Sequence, residues 1–423
     1  MSDSPRIAVI GLGYVGLPLA VHLARHFDVV GYDLDPARIS ELCAGKDRTG
    51  EIGSAELQAS TMAFSDDEGA LDGSGVFIVT VPTPVDSRNR PDLSAVRAAS
   101  ETVARHLGRG AIVVYESTVY PGVTEEVCGP ILETGSGLVC GKDFFLGYSP
   151  ERINPGDREH TVDRITKIVA GQTPEVTEKL AGIYGAMNGG DIYRARDIRT
   201  AEAAKVIENA QRDINIAFVN EVAMILNGLD LNVLDVLDAA NTKWNFLPFR
   251  PGLVGGHCIG VDPFYLAHAA QKAGLHPEIV LAGRRLNDGM GAYVAHEIHD
   301  SVGGTGKRVL VLGLTFKENV PDLRNSRVVD IVTKLRELGH SVDVHDPHAQ
   351  PGEAQSLFGI DLLPGLDDAS GYDVVVGAVR HAEYEALDAD ALRRLMADDA
   401  MLADIKGIWR TVDLGPSVRR WEL

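Results

Sequence analysis

One local pattern, a β-branched run ending in glycine followed by an apolar helix, occurs twice in this chain and constrains its fold more than any other feature. Residues 6–11 read RIAVIG, and an apolar helical pattern follows from Val15 to Arg25. A second strand, Asp28 to Tyr32, comes next. Further strand-like runs stand at Val76 to Val81, Ile112 to Tyr115 and Phe144 to Tyr148, with helical stretches such as Leu93 to Leu107 between them. Strands that alternate with helices predict a parallel, doubly wound sheet. After the glycine-rich SVGGTGK at residues 301–307 the pattern returns. KRVLVLGLT resembles PRIAVIGLG, VDVHDP resembles VVGYDLDP, and YDVVVGAV resembles SGVFIVTV, so two α/β domains of related architecture are expected. The copies differ in one place: Gly11 to Asp33 spans 22 positions and Gly313 to Asp346 spans 33. The extra length carries FKENVPDLRNS where the first copy has glycines. The second domain is therefore expected to have lost dinucleotide binding and gained another ligand.

Between the copies, Arg199 to Asn227 runs 29 residues without Gly or Pro, with apolar residues at helical spacing. One helix of about 43 Å is predicted at about 1.5 Å per residue. Such a helix can bridge domains and pack against a second copy of itself, so a homodimer is expected. The domains read as residues 1–198, 199–300 and 301–423, a division that suits 423 residues, since single cores stop growing near 250–300.

Acidic residues outnumber basic ones by 60 to 40, and a net charge of −20 argues against nucleic acid or an anionic membrane as the main partner. An anionic ligand must then be held by a local cluster of N–H groups, Lys and Arg. The polar residues 1–5 run straight into an apolar strand without a signal pattern, and no apolar run reaches the roughly 18–20 residues of a membrane span. A cytoplasmic protein is expected. Cys43, Cys128, Cys140 and Cys258 form no CxxC pair, so neither a disulfide framework nor a metal site is indicated.

Gly11-Leu12-Gly13-Tyr14-Val15-Gly16 follows a strand and opens a helix, the context in which GxGxxG is informative. Gly11 permits the turn, Gly13 lets the backbone approach a pyrophosphate, and Gly16 lets helix and strand pack closely. The pyrophosphate sits at the helix N-terminus. Asp33, at the end of the second strand, can accept both ribose hydroxyls and would repel a 2′-phosphate, which favours NAD over NADP. Arg38 is the one nearby feature that weakens that choice.

The richest chemical segment is FLPFRPGLVGGHCIGVDPFYL, Phe246 to Leu266. Gly255-Gly256 is expected to give the backbone room beside a ligand, with Cys258 close behind. If a helical turn begins there, Cys258 and Asp262 share a face; a buried spectator cysteine is the bland alternative. On the long helix Lys205 and Asn209 are also four apart, and a lysine and an amide aimed together can hold an oxyanion. A solvated polar face competes with that reading.

These motifs identify a resemblance over essentially the full length to the UDP-glucose/GDP-mannose dehydrogenase family. GLGYVGLPLA, VPTP at Val81 to Pro84, ESTVYPGVT at Glu116 to Thr124, YSPERINPG at Tyr148 to Gly156, AEAAKVIENA at Ala201 to Ala210, GGHCIGVDP, and GLTFKENVPDLRNS at Gly313 to Ser326 occur in order. The resemblance implies two Rossmann-like domains joined by a central helical dimerisation region. It implies Cys258 as a nucleophile forming a thiohemiacetal and then a thioester, Lys205 and Asn209 as oxyanion partners, and Asp262 orienting Lys205 and water. Glu151 would be the general base, with a water held by Thr118. Pro82, Thr83 and Thr118 would join the cofactor site. Arg152, Lys317 and Arg324 would join Glu151, Lys205 and Asn209 in holding a UDP-sugar.

His257 departs from the serine beside the cysteine in UDP-glucose and GDP-mannose members. GGHCIGVDP, FRPGLV and SPERINPGD instead resemble the branch that acts on UDP-N-acetylglucosamine or UDP-N-acetylgalactosamine for bacterial surface polysaccharides. Arg250, Gly255 and His257 are candidate substrate contacts there. Two rivals remain: a β-hydroxyacid dehydrogenase making one oxidation, which also places Lys and Asn one helical turn apart, and a nucleotide-sensing protein without turnover.

Overall fold

The computed structural model describes residues 4–153, 159–256 and 259–423. The chain divides into two compact units, Met1–Glu208 with Phe264–His276, and Asn209–Pro263 with Pro277–Leu423. The long helix is Ile198–Asn227, and the division falls within it.

Eight strands of the first unit form one sheet: β1 (Ile7–Ile10), β2 (Val29–Tyr32), β3 (Ala63–Ser65), β4 (Val76–Val79), β5 (Ile112–Tyr115), β6 (Phe145–Tyr148), β7 (Lys167–Gly171) and β8 (Ile192–Arg194). Their order is β3-β2-β1-β4-β5-β6-β7-β8, parallel throughout except where β6 meets β7. Every residue of β1, β2, β4 and β5 is buried, as expected of strands covered on both faces. Ile7 and Val9 enter a core with Leu17, Val21 and Leu180, while the alternate residues Ala8 and Ile10 are buried on the opposite face. The strand order reverses between β1 and β4, so the loops after these two strands flank a ready-made crevice.

In the second unit β9 (Arg308–Leu312), β10 (Ser341–His345), β11 (Tyr372–Gly377), β12 (Met396–Asp404) and β13 (Arg419–Glu422) form an all-parallel sheet in the order β10-β9-β11-β12-β13. Val309 and Val311 pack with Val294 and Ile298 of the helix Glu278–Val302 and with Ile331 and Leu335 of the helix Val328–Glu337. Leu310 and Leu312 face the other way, into a core of Tyr384, Leu392, Leu395 and Trp409. The doubly wound architecture expected for both copies is present. Strands β7, β8 and β13 had no clear sequence signal: KIVAG, IYR and RRWE are too short for periodicity to be read.

Trp409 is fully buried and its indole N–H donates to the Tyr384 carbonyl at 2.8 Å. A Cβ on Gly377 would lie 2.5 Å from its ring, so the strand has been pared to glycine to seat it. Trp409→Ala should destabilise the second unit by about 3–5 kcal/mol, measured by urea unfolding; a loss below about 1 kcal/mol would mean that this core is not packed as described.

Candidate active site

The glycine loop after β1 has the shape a pyrophosphate needs. Gly11 has φ +94°, and a Cβ there would meet Val81 and the Thr80 carbonyl at 3.2–3.4 Å. At Gly16 a Cβ would lie 1.8 Å from the Gly11 carbonyl oxygen, so any side chain would force the helix Gly16–Leu23 off the strand. At Gly13 nothing stands within 4 Å, which leaves open the approach expected for a ligand. The Thr80 hydroxyl ties the two loops, donating to the carbonyls of Ile10 and Gly11 at 3.0 and 2.7 Å. Tyr14 and Val15 are half-buried at the helix start, and Pro82 and Thr83 follow β4 on the other side of the switch point.

Asp33 is half-buried. One oxygen accepts from Leu12 N at 2.8 Å and the other from Asp35 N at 3.0 Å. Each oxygen keeps a further lone pair, so the carboxylate fits the ribose hydroxyls. Arg38 is turned inward: its Nε–H donates to the Leu12 carbonyl at 2.9 Å and it pairs with buried Asp47 at 2.8 Å. A guanidinium so placed braces the loop from beneath.

After β5 comes ESTVYPG. The Ser117 hydroxyl donates to the Val81 carbonyl at 2.6 Å, joining this loop to VPTP, and Thr118 follows half-buried. Glu202, one turn before Lys205, fixes the far end of the loop by accepting from Gly122 N and Thr124 N at 2.5 and 2.9 Å. It is fully buried. Sequence reading overlooked it, because a glutamate inside a helix looks like solvated surface until its partners are known. Glu151 is buried, and one of its oxygens accepts from Arg152 N and Ile153 N at 2.5 and 2.6 Å. The Arg152 guanidinium pairs with Glu208 at 3.0 Å.

The helix Asp262–Lys272 begins at Asp262 itself, and the expected helical turn at position 258 falls where the description of the chain is interrupted. Cys258 and His257 lie outside the described residues. Asp262 is buried and accepts from the Asn209 amide at 2.5 Å, which brings two candidates 53 positions apart into direct contact. Lys205 lies one turn before Asn209 on the same helix and is buried. Asn220 clasps Gly252 on both sides, accepting from its N at 2.8 Å and donating to its carbonyl at 3.0 Å, and so holds the segment that carries Arg250 and Gly255.

Gly255 and Gly256 face the chain itself. A Cβ on Gly255 would lie 2.7 Å from the Asn325 carbonyl oxygen, and one on Gly256 2.8 Å from the Phe316 ring. The room that these glycines provide is taken by the Gly313–Ser326 loop, and the Asn325 amide donates to the Gly256 carbonyl at 3.2 Å. Two sequence motifs are thereby joined. Lys317 is half-buried on this loop, and Arg324 pairs with Asp322 at 2.7 Å.

Asp346, the counterpart of Asp33, is fully enclosed. It accepts from Leu314 N, Thr315 N, His348 N and Ala349 N at 2.6–2.9 Å and from His381 Nε2 at 3.1 Å. Burial raises the carboxyl, but His381 and these N–H groups more than offset it and hold it below the usual carboxylate range. With its oxygens engaged by the protein's own donors, no ribose can use it. A cavity of about 310 Å³ opens elsewhere in this unit, lined by Arg250, Arg380, Lys406 and Arg410 against the single carboxylate of Glu318. Burial lowers the Lys406 pKa, Arg380 adds to that and Glu318 opposes it. Arg250 was expected to meet a ligand; it also pairs with Asp238. Lys406, Arg380 and Arg410 were not anticipated, because residues scattered over positions 380–410 gave no motif.

Burial pushes the Cys128 thiol up to about 12 and also raises Cys140, so both stay protonated and unreactive.

Comparison with known proteins matches residues 5–188 to the NAD binding domain, 199–289 to the central domain and 310–411 to the UDP binding domain of the UDP-glucose/GDP-mannose dehydrogenase family. The chain is 52% identical over 407 residues to a UDP-N-acetyl-D-glucosamine 6-dehydrogenase of Pseudomonas aeruginosa, covering 95% of this chain and 96% of that one. It is 50% identical over 422 residues to protein CapL of Staphylococcus aureus, covering 99% of each. Among solved structures, a UDP-D-ManNAc dehydrogenase from Pyrococcus horikoshii superposes with a TM-score of 0.88 at 31% identity, over 98% of each chain.

Burial raises the Glu202 pKa from 4.5 to about 7 against the pull of Gly122 and Thr124 N–H. The folded state thus holds a proton that the unfolded chain releases. Its stabilising contribution is complete below pH 4.5 and lost as the pH rises through about 7. The stability of the wild type relative to Glu202→Gln should therefore fall on the order of 3 kcal/mol across that window. A pH-independent gap in denaturant titrations would refute this.

Proposed function

The chain belongs to the UDP-glucose/GDP-mannose dehydrogenase family, and on that footing we infer that it oxidises the C6 alcohol of a UDP-N-acetylhexosamine to the uronic acid in two steps, through Cys258. The observation that carries this reading is the Asn209–Asp262 hydrogen bond, which ties the helix bearing Lys205 to the segment that follows the nucleophile. UDP-N-acetylglucosamine is the first choice of substrate, because the P. aeruginosa relative is named for it.

NAD⁺, held by the Gly11–Gly16 loop and Asp33, supplies the hydride acceptor for both oxidations. Lys205 and Asn209 stabilise the oxyanion at C6. The Cys258 thiolate adds to the aldehyde carbonyl, giving the tetrahedral alkoxide from which a second hydride leaves, and a thioester remains. Glu151 takes a proton from a water positioned by Thr118; that water adds to the thioester, and the thiol departs with the carboxylate formed. The balance is one alcohol, one water and two NAD⁺ in, one carboxylate, two NADH and three protons out. The diphosphate is assigned to the second unit, with Lys317, Arg324, Arg250 and the cations of the Lys406 cavity. Gly255 and His257 border the sugar, and Arg152 supports Glu151. The functional segments are 1–198, 199–300 and 301–423, and the cytoplasm, where thiols stay reduced, is the proposed compartment.

A homodimer is proposed through the long helix and the residues that follow it. Phe218, Ile225, Leu229, Leu231 and Leu247 are exposed, and Trp244 is 92% exposed, an apolar surface that a monomer would leave wet. No helix among the described residues is long and apolar enough to cross a membrane.

Purified protein with UDP-N-acetylglucosamine should form two NADH per sugar; a ratio of one would point to a single-oxidation enzyme. Cys258→Ser should keep NAD⁺ affinity and lose acid formation by several orders of magnitude, and wild-type turnover in that variant would refute the mechanism. Light scattering should give twice 45.4 kDa, and Phe218→Asp with Ile225→Asp should halve it. A wild-type mass of one chain at micromolar concentration would remove the dimer.

A further inference from the structure

Behind Glu151 lies a set of ionisable groups that the chemistry above does not use. Lys167, on β7, is completely buried. Its ammonium donates to Glu116 Oε2 at 2.6 Å, to Glu151 Oε2 at 3.1 Å and to the Pro150 carbonyl at 3.3 Å. Glu116, the first residue of ESTVYPG, is 1% exposed and accepts from the Tyr184 hydroxyl on its other oxygen at 2.5 Å. Lys167 also lies 5.4 Å from the centre of the Tyr184 ring. One cation thus serves two carboxylates, which come from the loops after β5 and β6, while the cation and the phenol come from β7 and the helix Pro174–Asn188.

Three buried charges cannot sum to −1 cheaply, since an uncompensated charge in such a place costs several kcal/mol. The geometry tells the two carboxylates apart. Glu151 has two backbone N–H donors on one oxygen. Glu116 has none among its hydrogen bonds here: its partners are the ammonium and a phenol that can either donate or accept. Burial is the largest influence on Glu116, raising its pKa to about 7 with Glu151 adding to the rise, while Lys167 and the Tyr184 hydroxyl oppose it.

We infer that Lys167, shared between Glu116 and Glu151, is a positioning residue that sets the orientation of Glu151, and that Glu116 is the member of the set that holds the proton. The inference rests on the proposed role of Glu151 as base for thioester hydrolysis. With Glu116 neutral, the charge of the ammonium is left to hold Glu151 in place; when Glu116 loses its proton, the two carboxyl groups compete for one ammonium.

Two measurements test this. The first needs no turnover: an infrared difference titration of the unliganded protein should show one buried carboxyl ionising near pH 7 in the wild type, at lower pH in Glu151→Gln, and absent in Glu116→Gln. The second is the pH profile of acid formation. Lys167→Met should lower acid formation across the whole profile, Lys167→Arg should restore it, and Glu116→Gln should remove the inflection near pH 7. Wild-type profiles in Lys167→Met and Glu116→Gln, with only the melting temperature lowered, would reduce the set to a structural ion pair and overturn the inference. Should Lys167→Met not fold, Glu116→Gln and Lys167→Arg decide the matter. If Glu151→Gln hydrolyses thioester normally, the role of Glu151 falls, and the infrared band still decides where the proton resides.

Discussion

Each sheet of this protein ends its first strand in a loop whose backbone N–H groups need a partner, and a carboxylate at the end of the next strand supplies it. Asp33 accepts from Leu12 N in the first unit, and Asp346 from Leu314 N and Thr315 N in the second. The two sites then diverge. Asp33 stays half-buried with lone pairs to spare, beside a glycine open to its surroundings. Asp346 is sealed by His381 and by the backbone beyond it. The same hydrogen bond therefore underlies a nucleotide site in one unit and a purely structural lock in the other.

Sealing that site leaves the second unit to hold anions by other means. In a chain with a net charge of −20 a phosphate meets repulsion over most of the surface, so the cations that receive it must be concentrated and partly desolvated. Arg250, Arg380, Lys406 and Arg410 around one cavity are the group proposed for that task. Buried ionisable groups recur in the first unit as well: Glu202 anchors the ESTVYPG loop from the long helix, and the Lys167 set stands behind Glu151.

Much of this was legible in order along the chain. Glycines at fixed spacing, a carboxylate at a strand end and a long run without Gly or Pro each act through local backbone geometry, so the doubly wound copies and the helix Ile198–Asn227 could be read from residues alone. Lys205 and Asn209 could be paired because helical spacing is itself a local rule. Family resemblance added Glu151, Thr118, Lys317 and Arg324, which no spacing would have singled out. Arg38 was read as weakening the choice of NAD and Gly255-Gly256 as room beside a ligand; in the fold the arginine bonds Leu12 and Asp47 and the glycines lie against Phe316 and Asn325.

The residues thus carried the class of fold, the nucleotide loop and the order of the motifs, since these depend on neighbours a few positions away. What required the folded chain was which charges share a partner: Asp262 with Asn209, Glu202 with the ESTVYPG backbone, Lys167 with two glutamates. A buried charge is tolerable only beside its counterpart, and that counterpart can come from any strand end the sheet brings near. Linear distance along the chain says nothing about it.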